Sequence, residues 1–150
     1  MNKRKAIILD LDGVLVNSEH RWFLAEDGKW DLFDVLIYRD TTYQWSRIFL
    51  QMVQIYNSVQ IIIVTGRGER SCSATKSWLQ ANLHLIPGKY LLYMRPDGET
   101  CADCVLKQRI YEVFIRDYFD VLFVVDDKSS NVKMWRNNGL VCLQNADNKE

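Results

Sequence analysis

Ala6-Ile7-Ile8-Leu9-Asp10-Leu11-Asp12-Gly13 is the stretch on which the reading of this chain turns. A short apolar run has the length of a buried strand, and it ends in two aspartates two positions apart. Three further polar stations follow in order. Thr65-Gly66-Arg67 comes after Ile61-Ile62-Ile63-Val64, Lys107 stands in a helix-compatible segment, and Asp126-Asp127 comes after Val121-Leu122-Phe123-Val124-Val125. Polar and charged groups at the ends of buried strands are costly unless a metal, a ligand or each other compensates them. In an open parallel sheet successive strand ends line one crevice, so a single shared site accounts for all of the stations.

Apolar runs at 5–11, 59–64, 90–94, 121–125 and 139–143 have strand length and β-branched content. Helix-compatible segments at 41–56, 70–82, 103–118 and 129–137 separate them. Within 41–56, Trp45, Ile48, Phe49, Met52, Val53 and Tyr56 recur at three and four residues, which predicts a helix packing one stripe on the sheet. Alternating strands and helices predict an α/β fold: a three-layer, doubly wound, mostly parallel five-stranded sheet. The irregular stretch at about 14–40, with Trp22, Phe23, Trp30, Phe33 and Tyr38, is expected to form a small cap insertion after the first strand. Residues 1–150 read as one domain, and Asn145 to Glu150 as a polar, frayed tail.

Side chains two apart on a strand face the same way, so Asp10 and Asp12 can address one small volume. The chemistry this suits is attack on phosphorus by Asp10 to give an aspartyl-phosphate, with Asp12 protonating the leaving alcohol and then activating water. An anionic nucleophile and an anionic phosphate need a fixed cation between them. An all-oxygen set of Asp10, the Asp12 carbonyl and one or both of Asp126 and Asp127 suits Mg²⁺. Lys107 would add a fixed positive charge, and Thr65 with the following amides, Gly66 first, would donate to phosphate oxygens.

Each residue also has a plainer reading. Asp-x-Asp-Gly occurs in turns and calcium loops, Asp126-Asp127 can cap the helix after them, Thr65 can be a turn residue, and Lys107 can be an exposed helix charge. Their arrival in order at consecutive α/β stations favours the functional reading.

Asp10-Leu11-Asp12-Gly13, Thr65, Lys107 and Asp126-Asp127 resemble the four motifs of the haloacid dehalogenase superfamily of phosphohydrolases. The resemblance covers the whole domain and implies an aspartate nucleophile, Mg²⁺ and a central first strand. Tyr118 to Val121, Val125-Asp126-Asp127, Val132-Lys133-Met134-Trp135-Arg136 and Gly139 to Cys142 are similar, more narrowly, to the 3'-phosphatase domain of phage polynucleotide kinase, as are Thr65-Gly66-Arg67, Met94-Arg95, Gly98 to Thr100 and Asp103. Carried over, this implies that Arg67 assists in phosphate or nucleic-acid contact and that Arg95 and Asp103 lie along the substrate approach. On physical grounds Arg67 can equally pair with Glu69, and Asp103 can be an N-cap. The chain departs from the pattern at Val14, where many members have threonine, and at Cys101, where the kinase-linked domain tends to have a basic residue.

Composition sets limits. The 150 residues carry no net charge, with acids and bases mixed, so the footprint of a strong duplex binder is missing. The apolar run before Asp10 is too short for a signal-peptide core or a membrane span, and Cys72, Cys101, Cys104 and Cys142 read as reduced thiols; a cytoplasmic protein, in the host cell if phage-encoded, is expected. Cys101-Ala102-Asp103-Cys104 lacks the second ligand pair that zinc needs. No phosphate-binding Gly-x-x-x-x-Gly-Lys-Ser/Thr loop occurs, so a stand-alone phosphatase is expected. The expected substrates are 3'-phosphorylated nucleic-acid ends. The rivals are a nucleotidase or small-molecule phosphatase on the same scaffold, and a phosphoacceptor signalling module. The last would place its acceptor after the third strand and its lysine after the fifth, an order this chain does not follow.

Overall fold

The computed structural model describes residues 2–56 and 58–146. In chain order the elements are β1 (Arg4–Leu9), β2 (Val16–Asn17), α1 (Trp22–Glu26), α2 (Trp30–Val35), β3 (Thr41–Thr42), α3 (Gln44–Ile55) and β4 (Gln60–Gly68). Then come α4 (Cys72–Leu83), β5 (Tyr90–Arg95), α5 (Asp103–Ile110), β6 (Phe119–Asp126), α6 (Ser129–Asn137) and β7 (Cys142–Gln144).

Five strands form one parallel sheet in the order β5-β4-β1-β6-β7, with β1 at its centre as the family resemblance implies. A strand covered on both faces must be apolar at successive positions. In β1, Ile7 and Leu9 enter one core while Ala6 and Ile8 enter the other. The first core is closed by Leu50 of α3 and by Trp78, Leu79 and Leu83 of α4. The second is closed by Leu106 and Ile110 of α5, by Tyr111 and Ile115 of the π-helical turn that continues it, and by Val132 and Trp135 of α6. The chain leaves β1 for β4 and β5 under one face, then returns along the other to β6 on the far side of β1. Neighbouring strands β1 and β6 therefore send their connections to opposite faces, which opens a crevice above their carboxyl ends.

Several local expectations are corrected. Helix α3 forms where the periodicity puts it, but it docks through Ser46, Phe49, Leu50 and Val53, and leaves Trp45, Ile48, Met52 and neighbouring Tyr56 exposed. Its apolar residues span more than the arc that one sheet can cover. The last strand begins at Cys142 rather than 139, because Gly139 at φ 77° closes α6 by donating its N–H to the Arg136 carbonyl at 2.9 Å. Asn145, expected in a frayed tail, is fastened by its N–H to the Asp126 carbonyl at 3.0 Å and by its side chain to the Gly13 carbonyl. Residues 147–150 of that expected tail lie outside the described residues. Between β1 and α3, the short β2–β3 pairing, Val16 with Thr42 and Asn17 with Thr41, ties the two ends of the helical insertion together. Among the described residues no helix is long and apolar enough to cross a membrane.

Candidate active site

Asp10 is the first residue beyond β1, and its N–H still donates to the Val125 carbonyl of β6 at 2.9 Å. Parallel pairing thus carries the nucleophile candidate to the crevice beside Asp126. Lys107, on the inner side of α5 and fully buried, bridges them: its Nζ lies 2.9 Å from Asp10 Oδ1 and 2.8 Å from Asp126 Oδ2. Ligand-type oxygens of Asp10, Asp126 and Asp127 all lie within 4.8 Å of one another. Burial, reinforced by Asp126 and Asp127, pushes the Asp10 carboxyl well above the usual range against the pull of Lys107. Burial opposes the charge on Lys107 too, but Asp10, Asp126 and Asp103 outweigh it and hold the ammonium protonated.

Asp126 is occupied by the protein itself. Its Oδ1 accepts the N–H of Asp127 at 3.0 Å and the amide of Asn131 at 3.1 Å; its Oδ2 accepts Lys107 and the indole of Trp135 at 3.0 Å. Through Asn131 and Trp135 these bonds tie the acidic pair to α6, side chain to side chain. They also give Trp135 its reason: fully buried and edge-on to Tyr111, it holds Asp126 from behind.

Asp12 faces a different environment. Arg67 grips its carboxylate in a two-pronged pair, Nε to Oδ2 at 2.8 Å and Nη2 to Oδ1 at 2.6 Å. The same Nη2 donates to Asp40 Oδ2 at 2.7 Å, and Asp40 accepts from Arg21 Nε at 2.7 Å and Nη2 at 2.8 Å. Burial pushes the Asp12 carboxyl up, but Arg67 and then Arg21 hold it below the usual range. Arg67 therefore pairs with Asp12 and Asp40, not with Glu69, and its guanidinium is directed at carboxylates. Sequence reasoning missed Arg21 and Asp40. Both are buried, and nothing in the spacing of the insertion marks them.

A third group closes the wall at β5 and α5. Arg95 donates to the Gly66 carbonyl at 3.2 Å, to the Cys101 carbonyl at 2.8 Å and to Asp103 Oδ1 at 2.9 Å. Asp103 also pairs with Lys128 at 3.2 Å, and it makes no N-cap hydrogen bond, so the capping alternative falls. Burial raises the Asp103 carboxyl, but Lys107, Lys128 and Arg95 together hold it below the usual range. A Cβ built on Gly66 would overlap Asp103 Oδ1, which is why this position takes glycine. Lys128 is a third omission, and here a signal existed: it follows the acidic pair directly.

Asp10, Asp12, Thr65, Gly66, Arg67, Arg95, Asp103, Asp127 and Lys128 all line one cleft of about 1160 Å³, with Lys107 and Asp126 buried behind its floor. Thr65 Oγ1 accepts the Arg67 N–H at 3.2 Å, fixing the turn. The structure brings together every site residue that the sequence singled out. The arrangement can fix an oxyanion between buried carboxylates and a lysine, provided that a further cation offsets the excess negative charge.

Residues 4–149 match the model of the polynucleotide kinase PNKP phosphatase domain. A protein of Autographa californica nuclear polyhedrosis virus, assigned as a bifunctional polynucleotide kinase/RNA ligase, is 26% identical over 132 residues, covering 88% of this chain and 18% of its own length. A chain of the Pnkp1/Rnl/Hen1 RNA repair complex superposes with a TM-score of 0.74 at 24% identity, over 95% of this chain and 42% of that one. The class C acid phosphatase of Bacillus anthracis, with tungstate bound, follows at TM-score 0.66 and 18% identity, over 99% of this chain and 69% of that one. The chain thus spans under a fifth of the viral relative and under half of the repair-complex chain.

Proposed function

Since the chain belongs to the polynucleotide kinase PNKP phosphatase-domain family of haloacid dehalogenase-type phosphatases, we propose that it removes the terminal phosphate from nucleic-acid 3' ends through an aspartyl-phosphate on Asp10. The observation that carries this reading is the position of Asp10, held through Oδ1 by buried Lys107 at the floor of the cleft. With Oδ1 so held, Oδ2 is the oxygen left to attack phosphorus. The P–O bond to the 3' carbon's oxygen breaks as the new P–O bond forms, and that oxygen takes a proton delivered through Asp12. Water then attacks the phosphorus of the aspartyl-phosphate, Asp12 takes its proton, and phosphate leaves with Asp10 restored.

The donor set fits a hard divalent ion. Three buried carboxylates face one ammonium, an excess of negative charge that favours a cation with oxygen ligands. Mg²⁺ would be held by Asp10, Asp127 and the Asp12 main-chain carbonyl. Asp126, engaged by Lys107, Trp135 and Asn131, would serve chiefly to fix the lysine. When bound, the ion supplies charge neutralisation between the Asp10 carboxylate and the phosphate oxygens. Thr65 and the amide at Gly66 would orient those oxygens, Arg95 and Asp103 would hold the Gly66 turn in place, and the insertion between β1 and β3 would act as the cap of a single domain.

Release of inorganic phosphate from a 3'-phosphorylated oligonucleotide with Mg²⁺ tests the proposal. Asp10→Asn is expected to lower kcat on the order of 10³-fold or more. Full activity of that variant, or an oligonucleotide left intact by the wild type, would refute it. Mg²⁺ should also raise the Tm of the wild-type protein, and raise it less for Asp127→Asn.

A further inference from the structure

The cleft above the phosphate site has an aromatic wall and no cationic track. Trp22 and Trp30, 40% and 49% exposed, both line it, and both rest edge-on against buried Phe33 at ring-centroid distances of 5.5 and 5.6 Å. Two large aromatic faces open on the wall of a polar cleft are suited to stack on a flat group. Phe33 is itself anchored to the catalytic side: its carbonyl accepts Arg21 Nη1 at 3.1 Å, and the Arg21 guanidinium lies 3.9 Å over its ring. Arg21 leads through Asp40 to Arg67 and Asp12, so the wall is held in fixed relation to the reacting groups.

The surrounding charges offer little to the length of a polyanion. Glu26, Asp34, Asp97 and Glu99 line the cleft, while its cations are already matched: Arg70 pairs with Asp34 at 2.6 Å and Lys128 with Asp103. Binding along a strand needs unmatched lysines and arginines facing successive phosphates. Base stacking needs only π faces, and Trp22 and Trp30 offer them.

Resting on the 3'-phosphatase reading, we propose that Trp22 and Trp30 stack the base of the terminal nucleotide, so that the site recognises one nucleoside 3'-phosphate rather than the strand behind it. The wild-type KM should then be nearly the same for a nucleoside 3'-monophosphate and for longer oligonucleotides, with little dependence on salt.

The decisive comparison uses two oligonucleotides that differ only in the last residue, one with a base and one abasic, both 3'-phosphorylated. Loss of the base is expected to raise the wild-type KM about 5- to 100-fold. Trp22→Ala and Trp30→Ala should raise KM for the base-bearing substrate toward the abasic value, and Trp30→Phe, which keeps a ring, should restore most of the discrimination. Equal wild-type KM for the two substrates, or tryptophan variants that impair both equally, would overturn the stacking wall while leaving the phosphatase reading intact. Absence of phosphate release from either oligonucleotide would overturn both.

Discussion

Asp40→Asn tests the charge network that sets the state of Asp12. The Asp40 side chain is fully buried and accepts three charge-assisted hydrogen bonds, at 2.7 and 2.8 Å from Arg21 and at 2.7 Å from Arg67. Asparagine keeps the volume but presents an NH₂ group to one of the two guanidinium groups. At least one bond worth about 1.5–3 kcal/mol goes. Among the described residues, two buried cations are then left with Asp12 as their close carboxylate, Arg21 at 3.6 Å and Arg67 at 2.6 Å. Breaking a buried pair from one side costs about 3–5 kcal/mol. For a domain of this size that predicts a fall in Tm on the order of 6–20 °C. Urea titration followed by tryptophan fluorescence, with calorimetry for Tm, measures both. The bond from Trp78 Nε1 to the Asp40 main-chain carbonyl, 3.0 Å, survives the substitution, so the loss reports the carboxylate. Arg67→Met added to Asp40→Asn should cost less than the sum of the single changes, because the second change removes a stranded cation. A single-variant cost under about 1 kcal/mol, or strict additivity, would mean that Asp40 does not hold the two guanidinium groups together.

Gly66→Ala should lower stability by about 1–3 kcal/mol, because its methyl must displace Asp103 from Arg95; thermal melting checks this, and Asp103→Ala in the same chain should recover part of the loss. Lys107→Met leaves Asp10 and Asp126 buried without their shared cation and should cost about 3–5 kcal/mol by urea titration, with Asp126→Asn offsetting part of it. Burial pushes the Cys142 thiol up from 9.0 to about 11. Because the folded state holds that proton more tightly, its contribution is intact below pH 9.0 and fades as pH rises toward about 11; the wild type should lose more stability than Cys142→Ala over that window.

The sheet was legible because a strand covered on both faces must be apolar at nearly every position, and the runs around Ile7, Ile62 and Val124 satisfy this. Helix α3 shows where periodicity misleads. Trp45, Ile48 and Met52 repeat at helical spacing yet face water, because spacing reports which residues share a side and not whether anything covers it. The acidic stations were legible for an energetic reason, since an aspartate at the end of a buried strand demands compensation. Their compensating partners were not. Arg21 meets Asp40 across 19 residues of irregular chain, which the closed insertion brings together, and Arg67 meets Asp12 across 55, which the pairing of β4 with β1 brings together. Arg67, which the resemblance brings into phosphate or nucleic-acid contact, lines the cleft and turns its guanidinium to Asp12.

That turn has a consequence for the proton. The role proposed for Asp12 asks it to protonate the leaving oxygen, yet Arg67 and Arg21 favour its ionised form. An acid held ionised at rest must receive the proton during the cycle, and the phosphate monoester can bring it, since its second ionisation lies near pH ~6. Because kcat/KM reports the free enzyme and free substrate, it should fall about tenfold per pH unit above pH ~6, where the substrate loses that proton. A 3'-phosphorothioate, more acidic at the second ionisation, should move the fall to lower pH; Arg67→Lys should leave it in place. A descending limb that follows the Arg67 substitution and ignores the substrate would mean that Asp12 carries its own proton into the complex, and the clamp would then act only on orientation.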